Sequence, residues 1–257
     1  MIRFASLGSG SKGNATLIQS GDTLVLVDCG YSAVETARRM AALEVSPDAL
    51  TAVLVTHEHG DHIKGVPVLS RKYRLPVYLT HGTARGCRDT RFHQTRFISP
   101  HNSFDLGNLR VSPFPVPHDA EEPCQFVFSD PHDQRLGLLT DAGCITSHMI
   151  AALDGCHALL LECNYDPQML ANGPYPPPLQ RRIDHRYGHL ANHQARELLA
   201  SLDTANLSYL RAMHLSEKNN DENLVLDMLC SVVDTIKCDV RVANQQRGFG
   251  WVELAAP

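Results

Sequence analysis

The sequence predicts an α/β fold, and three observations carry that expectation. Strand-like and helix-like runs alternate along almost the whole chain. Its 257 residues, 43% hydrophobic and 20% charged, can bury one sizeable core in the proportions usual for a globular protein. Histidines and aspartates follow directly on several apolar runs, where loops at one edge of a sheet sandwich carry function.

The elements follow in order. Phe4 to Leu7 is a short strand that opens into the glycine-rich loop Gly8-Ser9-Gly10-Ser11-Lys12-Gly13-Asn14. Ala15 to Gln19 and Thr23 to Val27 flank Ser20-Gly21-Asp22, a hairpin signal. Ser32 to Leu43 reads as a helix with Ser32 as N-cap and Glu35 at the capping-box spacing. Ala52 to Thr56 is a strand, Gly65 to Tyr73 a helix and Pro76 to Thr80 a strand. Leu109 to Val116 and Gln125 to Ser129 are strands separated by the His118 loop, Arg135 to Thr140 is a strand ending in Asp141, and Ala158 to Glu162 is an apolar strand. His189 to Leu202 reads as a helix, Leu207 to His214 as a strand, Asn223 to Val233 as a helix and Val240 to Leu254 as a terminal strand pair. No repeat of fixed residue period is present. The one compositional break, Asn172 to Pro178, reads as a stiff connector too short to separate domains. Residues 1–257 are therefore expected to form a single domain.

The bulk properties narrow the function. A net charge of -5 gives no overall basic field, so any nucleic-acid contact has to come from a local patch. Eight scattered cysteines without a C-x-x-C pair read as reduced, mostly buried thiols of a cytoplasmic protein. The first residues lack the long apolar core and cleavage site of a secretory signal, and no stretch approaches a membrane span.

The run Thr56-His57-Glu58-His59-Gly60-Asp61-His62 carries the chemistry. Three imidazoles and the Asp61 carboxylate within six positions offer the nitrogen and oxygen donors that a pair of divalent metals needs. His57 and His59 alternate, so both can point one way, while Asp61 and His62 can face a second metal. His118, Asp141 and His214 close three further strand-like runs, and together these donors suffice for two metals with positions left for water.

That set resembles the metallo-β-lactamase-fold hydrolase superfamily, which implies an αββα four-layer sandwich. Asp28 in Val27-Asp28-Cys29-Gly30 is similar to the superfamily's first motif, a carboxylate that supports a ligand from behind. The resemblance implies His57, His59, His118 and a bridging Asp141 on one metal, and Asp61, His62, Asp141 and His214 on the other. Leu7 to Asn14, Gly188-His189-Leu190-x-Asn192 and His214-Leu215-Ser216-x-x-Asn219-Asn220 resemble the YycJ-like (WalJ-like) subfamily. This second resemblance runs through nearly the whole chain and implies a 5′ to 3′ exonuclease acting on DNA in bacterial cytoplasm. Ala191 departs from it, standing where the subfamily form carries a serine.

Two divalent cations, zinc or manganese with iron as a further option, can clamp the attacking and leaving oxygens of a phosphodiester and lower the pKa of a bridging water from about 15.7 toward about 7. Asp61 is placed to orient that water, and the leaving 3′-oxygen needs a proton. His189, polarised by Glu162, is the candidate donor. The segments around the two resemble those of tRNase Z-type members, where such a dyad is implied. The alternative, less favoured, is that Glu162 caps a loop and His189 the following helix. The glycine-rich loop offers backbone N–H groups to a phosphate or is simply a tight turn. Candidate substrate contacts are Ser9, Ser11 and Asn14 in that loop, Arg181 and Arg182 in a basic segment before His189, and Asn192. A second basic segment runs from Arg85 to Arg96.

The same metals serve thioester, lactone and RNA substrates in this fold, so a glyoxalase II-like thioesterase or other small-molecule ester hydrolase is the alternative enzyme. A non-catalytic metal-binding interaction protein is the alternative of another class, and the full ligand set argues against it. Too few positions separate Asp141 from His189 to contain the β-CASP insertion of RNA-processing relatives.

Overall fold

A computed structural model of the chain describes residues 1–254. In chain order the elements are β1 (Ile2–Gly8), β2 (Ala15–Ser20), β3 (Thr23–Val27), α1 (Ala33–Ala41), β4 (Ala52–Leu54), α2 (Gly60–Ile63), α3 (Val66–Tyr73), β5 (Pro76–Leu79), α4 (His81–Gly86) and β6 (Gln94–Phe97). There follow β7 (Phe104–Leu106), β8 (Leu109–Pro115), β9 (Cys124–Ser129), β10 (Arg135–Leu139), α5 (Ser147–Leu153), β11 (Ala158–Glu162), α6 (Pro167–Asn172), α7 (Pro177–Ile183), α8 (Asn192–Ala200), β12 (Tyr209–Met213), α9 (Glu222–Cys230), β13 (Asp239–Val242) and β14 (Phe249–Glu253).

The strands form two seven-stranded sheets, ordered β14-β1-β2-β3-β4-β5-β6 and β13-β12-β11-β10-β9-β8-β7. Each is antiparallel at one side and parallel at the other: β3 to β6 run parallel in the first, β10 to β13 in the second. Alternation along the strands produces four layers. Val25 and Val27 of β3 meet Ala158 and Leu160 of β11 in a core between the sheets, together with Phe4, Phe126 and Phe128. The intervening Leu24 and Leu26 pack outward with Met40 and Leu69 of α1 and α3. Leu159 and Leu161 pack outward on the other side with Leu198, Leu199 and Leu229 of α8 and α9. The parallel strands β3 and β11 are buried throughout, as strands covered on both faces must be. All eight cysteines are free, with Cys29, Cys124, Cys156, Cys163 and Cys238 buried. Among the described residues no helix is long and apolar enough to cross a membrane.

Four expectations change. Ser32 caps α1 by accepting from Glu35 N–H at 3.2 Å, but the Glu35 carboxylate binds Arg38 and Arg39 at 2.7 Å rather than reaching back, so the box is one-sided. The terminal strand pair is divided, since β13 joins β12 in one sheet and β14 joins β1 in the other. The stretch from 172 to 178 contains the start of a helix: Pro177 occupies the first turn of α7, where a missing N–H costs nothing. His189 lies in the segment before α8 and outside the helix itself.

Candidate metal centre

The parallel strands all deliver their carboxyl ends to one edge, the position at which α/β sheets bind ligands. Asp28 follows β3, the run from Thr56 to His62 follows β4, Asp141 follows β10, Glu162 ends β11 and His214 follows β12. Asp28, Asp141 and His214 have φ of 60°, 54° and 54°, left-handed conformations uncommon outside glycine. Such strain concentrates where the surrounding structure fixes side-chain direction. Gly30 allows a close approach beside the site: a Cβ there would lie 1.8 Å from the Asp61 carbonyl oxygen.

Two sets of donors converge. His57, His59 and His118 form one, and Asp61, His62 and His214 the other, with every ligating atom of a set within 4.8 Å of its fellows. Asp141 lies within the same reach of His57 and His62, and also of Glu162, His189 and His214, so it touches both sets. His57 Nε2, His214 Nε2 and Asp141 Oδ2 are buried without a hydrogen-bond partner. Asp141 Oδ2 does lie 2.9 Å from His62 Nε2, an ionic approach rather than a directed hydrogen bond. Orphaned donors converging at ligand spacing fit divalent metals: bonds of about 2.0–2.2 Å at tetrahedral angles put ligand atoms roughly 3–4 Å apart.

The outer nitrogens are held differently in the two sets. His118 Nδ1–H donates to the Gly188 carbonyl at 2.8 Å, and His57 Nδ1 meets Thr56 Oγ1 at 3.0 Å. His62 Nδ1–H donates to Asp28 Oδ2 at 2.8 Å, while Thr56 donates its N–H and hydroxyl to the same carboxylate at 2.9 and 2.8 Å. His214 Nδ1 lies 2.9 Å from Asp141 Oδ1 and 3.4 Å from Glu162 Oε1. Burial pushes the His57 pKa well down with help from His62, and burial also lowers His118. Burial alone would lower His62 and His214 too, but Asp141 and its neighbouring carboxylates outweigh it and hold both well above the usual histidine range.

Glu162 is buried. Its Oε2 accepts from Ala142 N–H at 2.7 Å and its Oε1 from His189 Nδ1–H at 2.8 Å. Asp141 Oδ1 lies 3.1 Å from the same nitrogen. Against the effect of burial, these carboxylates raise His189 to about 9, so it carries a proton at neutral pH. With Nδ1 engaged, Nε2 is the nitrogen left for the cleft, a cavity of about 410 Å³ that His189 lines with His59, Asp61, Asp141, Arg182 and His214.

The expected substrate contacts separate. Ser11 and Arg182 line the cavity, Arg182 Nε donating to Asp119 Oδ2 at 2.7 Å. Ser9 and Asn14 are buried and face inward instead. Ser9 Oγ accepts from His214 N–H at 2.8 Å, and Asn14 Nδ2 lies 3.0 Å from His62 Nε2, so both position donors. Arg181 faces a separate depression beside Tyr165 and Asp184. Asn192 is buried and pairs its amide with that of Asn220 at 2.8 and 3.0 Å, which ties α8 to the loop after His214. The glycine-rich loop is a tight turn locked from below: Gly8 has φ 154°, and a Cβ there would meet the Tyr31 hydroxyl at 2.0 Å. Gln245 spans the same loop, donating to Gly13 O at 3.0 Å and accepting from Lys12 N–H at 2.8 Å.

Sequence reasoning passed over Thr56, Asn164 and Gln245. Asn164 donates to the His214 carbonyl at 2.9 Å and lines the cleft. Its position two residues past a strand end, like that of Asp141, was the available signal.

Comparison with known proteins adds independent findings. A family model described as the beta-lactamase superfamily domain matches residues 23–211. The exodeoxyribonuclease YycJ of Bacillus anthracis is 33% identical over 253 residues, covering 97% of this chain and 91% of that protein. The exodeoxyribonuclease WalJ of Streptococcus pneumoniae is 31% identical over 229 residues, covering 87% and 85%. The metallo-beta-lactamase fold protein YhfI from Bacillus subtilis superposes with a TM-score of 0.76 at 18% identity, covering 98% of this chain and 100% of that one, a likeness of fold.

Proposed function

We propose, because the chain belongs to the metallo-β-lactamase superfamily and to its YycJ-like group, that it is a dinuclear metal-dependent phosphodiesterase, a 5′ to 3′ exonuclease acting on DNA. The observation that carries the reading is one cavity lined by donors of both sets, by a His189 hydrogen-bonded to Glu162 and by Arg182. His57, His59, His118 and Asp141 would hold one divalent ion, and Asp61, His62, His214 and Asp141 the other, zinc or manganese by donor chemistry with iron as a third option. Bound there, two such ions would neutralise phosphate charge and activate water at neutral pH.

The chain's own residues do the rest. Asp28 and Thr56 fix the His62 ring, with Nδ1–H turned to the carboxylate, so that Nε2 faces Asp61 and Asp141. Asp61 Oδ2, 3.6 Å from His62 Nε2 and from His214 Nε2, would help to hold the second ion and orients the attacking water. His189 releases its proton from Nε2 to the departing 3′-oxygen, with Glu162 and Asp141 stabilising the charged ring beforehand. Arg182, steadied by Asp119, contacts a phosphate oxygen at the rim. Residues 1–257 act as one catalytic domain.

The test is a metal-panel assay of purified protein on 5′-phosphorylated single- and double-stranded DNA, RNA and a lactoylglutathione-type thioester. Metal-dependent release of nucleotides from DNA is expected. Turnover of the thioester alone would overturn the assignment.

A further inference from the structure

We infer that Tyr175, Leu179 and Ile183 form a seat for one unpaired terminal base, so that the cleft takes its substrate a single nucleotide at a time; the inference rests on the nuclease reading above. All three residues line the cavity that contains Asp61, Asp141, His189 and His214. Leu179, Arg182 and Ile183 are spaced i, i+3 and i+4 on α7, which puts them on one helix face. Tyr175 precedes that helix and is half-buried.

The wall is braced independently of the main cores. Tyr175 and Leu179 pack against a separate cluster of Tyr165, Leu170, Ile183 and Ala191. Tyr165 donates its hydroxyl to Asp184 Oδ1 at 2.6 Å, fixing the far end of α7. Before Tyr175 the chain presses closely on the loop after His214, since a Cβ on Gly173 would lie 2.2 Å from Asn219 Oδ1. An aromatic ring held in this way is a preformed platform.

The chemistry of the cavity lining matches a nucleotide. The metal donors and Arg182 suit a phosphodiester, and the apolar residues beside Arg182 with the Tyr175 ring suit a flat base, because every base offers a π-face. A cavity of about 410 Å³ stands near the small end of ligand pockets, roughly 300–1,000 Å³, the scale of a single nucleotide. In hydrolysis from a 5′ end, water oxygen bonds to the first internal phosphorus, the bond from that phosphorus to the 3′-oxygen breaks, and the terminal nucleotide leaves with a proton on its 3′-oxygen. The seat holds that departing nucleotide while His189 supplies the proton.

The experiment compares two 5′-phosphorylated oligodeoxynucleotides, one ending in adenine and one in an abasic residue, with the metal-loaded enzyme and its Tyr175→Ala, Tyr175→Leu and Tyr175→Phe variants. For the adenine end, Tyr175→Ala should raise KM for the first cleavage by about 5- to 150-fold. Tyr175→Leu, which keeps the apolar packing and so the fold, should raise it in the same direction, and Tyr175→Phe should restore it. For the abasic end, KM should already be high in the wild type and change little in any variant. Equal KM values for the two ends in the wild type, or equal losses on both ends in Tyr175→Leu, would overturn the seat and leave the nuclease reading intact. A wild-type enzyme that cleaves neither end would overturn both.

Discussion

The two donor sets are built largely from histidine, yet their rings are held by different chemistry. In the set of His57, His59 and His118, the outer nitrogens of His57 and His118 meet a hydroxyl and a backbone carbonyl. In the set of Asp61, His62 and His214, the outer nitrogens meet the carboxylates of Asp28, Asp141 and Glu162. His57, His118, His62 and His214 are all buried, but burial wins only in the first set, where His57 and His118 are pushed down; in the second, carboxylates reverse it for His62 and His214. The carboxylates around each ring therefore decide how tightly it keeps its proton. Ring identity does not.

Asp141 is where the comparison can be broken most completely, because it reaches both sets. Asp141→Ala is expected to abolish turnover on every substrate and to lower the metal count at both sets, while His118→Ala and His214→Ala each lower it by one per chain. Elemental analysis of the purified variants checks this. A count of two in Asp141→Ala would show that the sets are independent.

His189 stands outside both sets although it shares a carboxylate with the second. His189→Ala should lower turnover by roughly 100- to 10,000-fold, the range for a lost general acid, with metal content unchanged. Loss of metal in parallel would instead make it a ligand. Asp28 separates the sets by one step, since it holds His62 and no ring of the first set. Asp28→Asn should weaken metal affinity by about 10- to 100-fold, and at the second set alone. Competition with a chelator, read as one weakened site and one unchanged, checks this.

Much of the floor was legible because hydrophobic runs stop where donors begin: β10, β11 and β12 each end within two residues of a donor or of Glu162, and β4 ends three residues before His57. The walls were not legible. Proline-rich 172–178 reads as a connector, although Asp166-Pro167 and Pro176-Pro177 mark the starts of α6 and α7. Val240 to Leu254 has strand character throughout, and nothing local in it says that its halves pair with strands on opposite sheets. Ser9 and Asn14 look like substrate contacts until the fold turns them onto His214 and His62. Ala191 is explained by position: it stands at the N-cap of α8, where Gln194 accepts its N–H at 2.9 Å. The missing serine hydroxyl would have belonged to helix capping.

The smallest expected effect is a dependence on pH, and it tests the comparison directly. A ring must give up its proton before it can ligate. His62 and His214 have raised pKa values, so near neutral pH they hold protons that an incoming ion has to expel. Affinity at their set should fall as pH falls, by about tenfold per pH unit for each proton displaced. His57 and His118 have lowered values and are already neutral, so their set should keep its ion into more acidic solution. Titrating the loaded enzyme from pH 8 to pH 5 and measuring retained metal should reveal two steps, the first absent from a His214→Ala variant that holds one ion. A single step shared by both ions would mean that Asp141 couples the sets more strongly than their separate partners divide them.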